Sequence, residues 1–375
     1  MRRGLGFAGH PVRFVERGES QYLPAIAFDG TNYLAVWQQG PSPGTNWQLY
    51  GSRVNQDGVV LDTSPFLISG SYSTSPAVAF NGTDFDVTWE DERASSFQIY
   101  GARVTTSGTV RDPAGIPIEA NPSESPSIAC GADSCLAVWR NFNSGTAKVP
   151  DGIYGTRLDG SLTTLDSPRI SLLLPADCTA GNPCADAPVD PNVVSAGSDY
   201  FVSMTNGKNI EGTSVSVAGA VSGAPISTGG PSPFRTGLAF DGTELFVTWV
   251  FGFGSSTSGF DGSRIAGTNV LDSPPLGLAT AQVDDWPATA FDGLHFMTVW
   301  TGGSGQLLTG GRVTTGGALL DGPGFSIDPG AASSGQEPAI ASSGQRNSLA
   351  AYVSCTSTSG APDCRVRAYI LQNCP

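Results

Sequence analysis

The sequence is poor in the side chains that most often carry metal and proton-transfer chemistry. Its 375 residues include two histidines, His10 and His295, and two lysines, Lys148 and Lys208. It contains no run of about 18 apolar residues, so we expect no helix that inserts into a membrane. It also lacks long stretches of helical periodicity, and residues 1–10 lack the apolar region of an intact secretion signal. These absences argue against a histidine-rich metal centre and against an α-helical protein.

Positive charge is scarce as well. The chain has 19 Lys and Arg against 33 Asp and Glu, which gives a net charge of −14. Nucleic-acid binding depends on basic patches that neutralise phosphates, so this balance argues against a nucleic-acid partner. Acidity of this kind is typical of a soluble secreted protein, and attraction of Ca²⁺ or another cationic partner is the alternative.

Turn residues and a repeat are what the chain has in abundance. It contains 49 Gly and 27 Pro, which is typical of an all-β protein with many turns. A phrase that reads Pro-Ala-Ile-Ala-Phe-Asp-Gly-Thr starts at Pro24, leads to Trp37, and returns with small changes at Pro76. Seven copies begin near residues 24, 76, 126, 191, 236, 287 and 338. A period of about 50 residues is typical of the blades of a β-propeller.

The second copy shows how one repeat divides into four strands, A to D. Strand A ends at Phe80, directly before the Asn81-Gly82 hairpin turn, and strand B returns to Trp89. Strand C covers residues 98–104, and strand D ends near Ile118. Strands A and B carry apolar residues on both faces, which is expected of sheets that pack between two neighbours.

The two ends of the chain complement each other. The seventh copy stops after a third strand at residues 365–371, whereas residues 11–16 form an extra strand ahead of the first copy. We expect this N-terminal strand to complete the last blade and close the ring. The sequence therefore predicts an all-β fold, a seven-bladed β-propeller with four-stranded antiparallel blades. It would form one domain over residues 11–375, after an extension at residues 1–10.

The repeat also supports a resemblance to a known group of proteins. In the first copy it reads Phe-Asp-Gly-Thr at residues 28–31, then Trp37, then Tyr-Gly-Ser-Arg-Val at residues 50–54. The chain resembles the seven-bladed β-propeller superfamily over essentially its whole length, and this phrase is similar to a repeat of secreted bacterial proteins. It lacks the Trp-Asp pairs of WD40 repeats and the double glycine of kelch repeats. The resemblance implies a fold and carries no activity with it.

Six of the seven cysteines form pairs that are close in sequence and flank a turn or loop. The pairs are Cys130 with Cys135, Cys178 with Cys184, and Cys355 with Cys364. We expect three disulfides and hence an extracellular or cell-surface location. A metal site is the alternative, but the cysteines lie in different copies. The seventh, Cys374, is free, paired with a segment absent here, or paired between chains in a covalent oligomer.

Opposite charges flank the turn between strands C and D in most copies. Arg53 and Asp62 are symmetric about this turn in the first copy, and the pattern returns as Arg103 with Asp112, Arg157 with Asp166, Arg264 with Asp272, and Arg312 with Asp321. The fourth copy has Ser214 and Gly223 and so loses both charges together. We interpret the pairs as structural ion pairs between neighbouring strands.

The loops between strands B and C emerge on the same propeller face as the D–A connections. The B–C loops of the seven copies differ from one another in length and sequence. Diverse loops on a rigid scaffold are typical of a binding surface. Five tryptophans end strand B as core residues, whereas Trp47 and Trp286 break that pattern and fall on the loop face near Tyr22. Such aromatic side chains stack on sugars or anchor protein partners, or else each covers its own blade.

Charged residues gather on the same face. We predict a ligand-binding site that combines the three aromatic residues with these charges, without catalytic residues or metal ligands. The charged members are Asp284, Asp285, Glu90, Asp91, Arg93 and Arg140. Two carboxyl groups at the right separation would serve glycoside hydrolysis, but no spacing in the sequence singles out a pair.

These features favour a secreted, non-catalytic binding module whose partner is a glycan or an extracellular protein. A carboxylate-dependent glycan hydrolase or lyase on the same face is the alternative, and a structural unit of an extracellular assembly is a further one. No cofactor is expected. Ca²⁺ at the Asp-Gly turns is the alternative, although Asp-Gly is also what a tight hairpin requires.

Overall fold

The computed structural model describes residues 7–14, 18–41, 46–94, 96–141, 150–174, 189–206, 209–229, 233–252, 258–279, 286–302, 307–328, 334–356 and 363–373. Within these residues all the regular secondary structure is β-strand, and the 29 strands form seven antiparallel sheets. The prediction of a seven-bladed β-propeller is confirmed. None of the described residues belongs to a helix that could cross a bilayer.

The first strand, β1 (Phe7–Val12), belongs to the last blade, and the blades then follow in chain order. Blade 1 contains β2 (Ser20–Phe28), β3 (Asn32–Gly40), β4 (Gln48–Asn55) and β5 (Phe66–Ser69). Blade 2 contains β6 (Ser73–Phe80), β7 (Asp84–Asp91), β8 (Gln98–Thr105) and β9 (Ile116–Glu119). Blade 3 contains β10 (Ser123–Cys130), β11 (Cys135–Asn141), β12 (Gly152–Leu158) and β13 (Ile170–Leu173).

Blade 4 contains β14 (Val189–Ala196), β15 (Asp199–Thr205), β16 (Asn209–Val215) and β17 (Val221–Gly229). In blade 5, β18 (Phe234–Phe240), β19 (Leu245–Phe251) and β20 (Gly259–Ala266) are followed by a fourth strand in two pieces, β21 (Asn269–Val270) and β22 (Leu276–Ala279). Blade 6 contains β23 (Ala288–Phe291), β24 (His295–Gly302), β25 (Leu307–Thr314) and β26 (Phe325–Ser326). Blade 7 contains β27 (Ser334–Ser342), β28 (Asn347–Thr356) and β29 (Asp363–Asn373), with β1 as its outer strand.

The ring closes through both ends of the described chain. Strand β1 pairs antiparallel with β29, from Phe7 opposite Asn373 to Val12 opposite Ala368. The sequence predicts this strand at residues 11–16. In the structure the strand begins earlier, at Phe7, and residues 15–17 lie outside the described residues. On the inside of the ring, strand A of blade 7 contacts strand A of blade 1, as neighbouring A strands do elsewhere. No blade edge is therefore left open at the junction of the two ends.

Tryptophan fills the space between blades, as the repeat predicts. Four of the strand-B tryptophans, Trp37, Trp89, Trp139 and Trp249, are almost completely buried, and Trp300 is nearly so. Met204 and Tyr352 occupy this position in blades 4 and 7 and are equally buried. Burial of large side chains on both faces of every sheet is the main contribution to stability.

Two of the predicted disulfides are confirmed. Cys130 is bonded to Cys135, and Cys355 is bonded to Cys364. Each pair joins directly opposite residues of neighbouring antiparallel strands. Cys178, Cys184 and Cys374 lie outside the described residues.

The predicted Arg–Asp pairs form, and they also reach across blade boundaries. Arg157 donates through Nη2 to Asp166 Oδ1 at 2.6 Å, while its Nη1 donates to the Val217 carbonyl of blade 4 at 2.6 Å. Arg53 makes the same contact with the Thr106 carbonyl of blade 2 at 3.1 Å. Arg103 and Arg264 make the same kind of contact, so in four blades the pair ties the C–D hairpin to the next blade in addition to bracing its own strands.

Candidate functional site

The seven A strands surround a cavity of about 690 Å³ on the axis of the ring. Each blade contributes one short stretch to its lining: residues 23–26, 75–78, 125–128, 190–194, 286–289 and 337–340, with Arg235, Thr236 and Leu238 from blade 5. A cavity of this size is within the range of small-molecule sites in proteins. The axis of the propeller is therefore the first place to look for a ligand.

A β-bulge interrupts strand A in six of the blades, where the strand borders the cavity. In each bulge one residue has a positive φ of 48–55°: Leu23, Ser75, Ser125, Asp190, Arg235 and Glu337. Trp286 occupies the equivalent place in blade 6, directly before the repeat proline. We call these seven residues the rim positions. Left-handed backbone at a non-glycine residue is uncommon and concentrates at functional sites.

Side chains of the preceding blade hold several of these bulges in place. The Leu23 amide donates to Glu337 Oε2 at 2.6 Å, and the Ser125 amide donates to Glu90 Oε1 at 2.7 Å. The Ser75 amide donates to Gln38 Oε1 at 3.4 Å. Hydrogen bonds between blades therefore support the unusual backbone at these three rim residues and hold their Cα atoms in place.

Charge and aromatic surface concentrate on one side of the cavity. The Arg235 guanidinium lies over the Trp286 ring, 3.1 Å from its centroid, and Arg235 Nε is 3.6 Å from Asp190 Oδ2. Burial raises the pKa of the Asp190 carboxyl, while the positive charges of Arg235 and Arg140 oppose the shift. Leu23 and the repeat prolines and alanines of blades 1 and 2 line the opposite side. The cavity mouth thus has a polar sector and an apolar sector.

Trp47 and Tyr22 lie together in blade 1, away from that polar sector. Their rings pack edge to face with centroids 5.4 Å apart, and Trp47 is 9% exposed. The Tyr22 hydroxyl lies 2.9 Å from Cys364 Sγ of blade 7. Trp286 lines the central cavity, whereas Trp47 and Tyr22 are not among its lining residues. The predicted aromatic residues therefore occupy two separate places.

Three predicted charged residues of blade 2 have structural partners. Strand β7 runs past Trp89 into the predicted loop and carries Glu90 and Asp91 with it. Asp91 accepts hydrogen bonds from Arg93 Nε at 2.7 Å and from the Trp89 indole at 2.9 Å. Burial pushes the pKa of Asp91 upwards, but these bonds outweigh it and lower the pKa below its usual value. Arg93 also lies over the Tyr100 ring, 4.1 Å from its centroid.

Arg140 is not among the residues that line the cavity, but its positive charge acts on Asp190 of the polar sector. Its Nη1 donates to Glu124 Oε1 at 2.8 Å, next to the Ser125 rim position. Asp284 and Asp285 lie outside the described residues. The sequence analysis missed Asp190 and Arg235, and it placed Glu337 on the loop face without including it in the predicted site. Their common signal is the position directly before the repeat proline, or before Thr236 in blade 5, where the seven copies carry apolar, polar, acidic, basic and aromatic residues.

Comparison with solved structures identifies many propeller-like neighbours at low sequence identity. A protein of unknown function from Dyadobacter fermentans matches with 11% identity over 98% of this chain and 100% of that one, with a TM-score of 0.58. The neuraminidase-like N11 protein of an influenza A virus from a flat-faced bat shares 9% identity over 98% and 94%, with a TM-score of 0.52. The α-L-arabinanase of Penicillium chrysogenum, complexed with arabinobiose, shares 10% over 79% and 92%, with a TM-score of 0.54.

These similarities establish the fold and nothing finer, because fold does not determine function. No family model matches the sequence, and no curated protein resembles it in sequence. The site must therefore be interpreted from its own residues.

Proposed function

We propose that the protein is a non-catalytic binding module that takes a glycan at the mouth of its central cavity. The observation that supports this most is the contrast within strand A. Six of the seven rim positions share one left-handed backbone, and the seven together carry leucine, serine, acidic, arginine and tryptophan side chains, while proline and small residues follow them in most blades. Variation at a fixed, rigid position around a cavity is how a repeated fold builds a specific site.

The polar sector suits a neutral sugar better than a charged ligand. Its cation, Arg235, is compensated by Asp190, and Arg140 behind the cavity lining is compensated by Glu124. Paired charges donate and accept strong hydrogen bonds with hydroxyl groups without leaving a net charge to be matched. Trp286 adds an aromatic ring beside them, which stacks on the apolar face of a sugar.

The cellular context belongs to the same proposal. Disulfides persist in oxidising compartments, so we place the protein outside the cytosol, as a secreted or surface-attached protein. A covalent assembly through Cys374 would make it a structural unit instead, and electrophoresis without reductant separates the two cases. A dominant monomer band supports the binding module.

A glycan array followed by calorimetric titration tests the proposal. We expect Trp286→Ala to weaken glycan binding by about 30-fold or more, because truncating an aromatic residue that anchors a ligand costs about 2 kcal/mol or more. Trp47→Phe is the matched control, since it removes an indole that lies outside the cavity lining, and it should leave affinity unchanged. Binding that Trp286→Ala preserves and Trp47→Phe loses would reject the rim site.

Hydrolysis is the second candidate, and two buried carboxyls favour it. The pKa of Glu90 is raised to about 7 and that of Asp190 is also raised, both chiefly by burial. A raised carboxyl pKa, such as the value of about 7 for Glu90, is what a general acid in glycoside hydrolysis requires. Release of reducing ends from the bound glycan by the wild type would favour the hydrolase, and a stable complex would favour the binding module.

A further inference from the structure

One position in strand B is apolar and buried in every blade but the second. It lies three residues before the strand-B tryptophan or its equivalent, and six blades have Leu34, Leu136, Phe201, Phe246, Met297 and Leu349 there. Blade 2 has Asp86, which is completely buried. A buried carboxyl in place of a core leucine is costly unless its surroundings also change.

The surroundings do change, in the next blade. Leu34 belongs to the same hydrophobic cluster as Phe80 and Phe85, which are opposite residues of the A–B hairpin of blade 2. The corresponding residues of blade 3 are Cys130 and Cys135. An apolar trio between blades 1 and 2 is thus replaced, between blades 2 and 3, by one carboxyl and two sulfur atoms.

These three side chains converge on one point. A carboxylate oxygen of Asp86 and the two Sγ atoms all lie within 4.8 Å of one another, and Asp86 Oδ2 is 3.3 Å from Cys135 Sγ. Asn81 Nδ2 donates to Asp86 Oδ1 at 3.0 Å and so turns Oδ2 towards the sulfur atoms. Within the part of the chain that the structure describes, no other His, Cys, Asp and Glu side chains form such a group of three.

The chemistry of the donors points to a metal that only the reduced protein can bind. A disulfide sulfur carries no thiolate charge, so the oxidised pair is a poor ligand. Two thiolates and a carboxylate, in contrast, are typical ligands of Zn²⁺, with water as the fourth ligand. Cys130 is partly exposed beside the turn at residues 131–134, which provides a route to the site.

We propose that reduction of the Cys130–Cys135 disulfide opens a binding site for a thiophilic divalent cation such as Zn²⁺, held by both thiolates and Asp86. A dithiol or phosphine reductant supplies two electrons, and two protons complete the thiols while the reductant is oxidised. The cation then displaces the two thiol protons into solvent and binds the sulfur atoms and Asp86 Oδ2. The site is separate from the cavity mouth, so it does not depend on the proposed glycan binding.

The other described disulfide provides a comparison within the same molecule. Cys355 and Cys364 are also opposite residues of neighbouring strands, but the neighbouring side chain is the Tyr22 hydroxyl. Reduction of this pair should release two thiols without the third ligand. We therefore expect much weaker metal binding there.

Titration of phosphine-reduced, oxygen-free protein with Co²⁺ tests the proposal, because thiolate-bound Co²⁺ absorbs strongly through charge transfer. Wild type should bind one cation more than Cys130→Ser/Cys135→Ser, whereas Cys355→Ser/Cys364→Ser should keep that cation. Asp86→Leu introduces the residue that blades 1 and 3 have at this position. It should weaken this binding by at least about tenfold, because even the loss of a residue that only orients a metal ligand costs about 10–100-fold in affinity.

Thermal unfolding gives a second, independent measurement. Added Zn²⁺ should raise the unfolding temperature of the reduced wild type and should raise that of reduced Asp86→Leu by clearly less. Equal Co²⁺ affinity in wild type and Asp86→Leu, or equal stoichiometry in wild type and Cys130→Ser/Cys135→Ser, would overturn the proposal.

Discussion

Glu90 and Gln38 occupy equivalent positions, one residue after the strand-B tryptophans of blades 2 and 1. Each accepts a hydrogen bond from the amide of a rim residue in the next blade. Glu90 is 8% exposed. Burial raises the pKa of its carboxyl from 4.5 to about 7, the Ser125 amide opposes this shift, and the nearby charge of Glu124 adds to it. The side chain that accepts the hydrogen bond from the rim amide is therefore a titrating carboxyl in blade 2 and a neutral amide in blade 1.

Replacing Glu90 with Gln should stabilise the protein in a pH-dependent way. Between pH 4.5 and about 7 the unfolded chain releases the Glu90 proton while the folded protein keeps it, so the contribution of Glu90 to stability falls as pH rises. Glutamine keeps the acceptor and does not titrate. We expect Glu90→Gln to exceed wild type by about 1–3 kcal/mol in free energy of unfolding at pH 8 and to converge with it below pH 4.5, as measured by urea unfolding.

The reverse substitution is the control for this prediction. Gln38→Glu should introduce the same pH dependence into blade 1, because its side chain holds the equivalent amide and is similarly buried. A stability difference between Glu90→Gln and wild type that is the same at both pH values would contradict the assignment of the shift to Glu90.

At the scale of secondary structure, the C–D hairpins link the blades in series. The Arg157 guanidinium bonds Asp166 of its own blade and the Val217 carbonyl of the next. Gly219, in the turn that Arg157 covers, has a φ of +83°, and a Cβ there would lie 2.9 Å from Arg157 Nε. Glycine is thus needed both for the turn and for the close approach of the arginine. Blade 4 has Ser214 in place of the arginine, so the described part of this hairpin has no guanidinium to make the same link to blade 5.

Replacing Arg157 with Lys should weaken the contact between blades 3 and 4. Lysine keeps the positive charge, but it lacks the planar guanidinium that donates to the Asp166 carboxylate and the Val217 carbonyl at the same time. Both Arg157 and Asp166 are largely buried, so we expect a loss of about 1–2 kcal/mol in free energy of unfolding, measured with urea. Ser214→Ala, at the equivalent place in blade 4, should change it by less than about 0.5 kcal/mol. Equal losses in the two variants would refute a role for the link.

The same hairpins show what the sequence could and could not predict. Turn residues such as Asn81-Gly82 and the strand-B tryptophans fix the blade boundaries, because turns and buried rings have strict local requirements. The bulge at Ser75 was beyond prediction, since a residue before proline is expected to be extended and not left-handed. The burial of Trp47 depends on Tyr22, which lies on a different strand, and no local pattern reports such a contact.

At the scale of the whole molecule, stability depends on closing the ring. Strand β1 covers the outer edge of β29 over six residue pairs, and Val12 and Phe14 behind it are buried in the cluster that joins blades 7 and 1. The centroids of the Phe14 and Trp37 rings are 5.0 Å apart. Removing this segment would expose both an apolar surface and a row of unpaired backbone groups.

Deletion of residues 1–14 should therefore lower the unfolding temperature and make the protein self-associate. Loss of the buried Val12 and Phe14 side chains alone costs about 3–6 kcal/mol, at 1.5–3 kcal/mol for each. The free edge of β29 then offers a template for pairing with a second chain, which size-exclusion chromatography would detect.

Deletion of residues 1–6 should leave both properties unchanged, because β1 begins at Phe7. A peptide of residues 7–14 added to the longer deletion should restore its unfolding temperature, since it supplies the missing strand. If the two deletions unfold at the same temperature, pairing of β1 with β29 contributes nothing to the stability of the propeller.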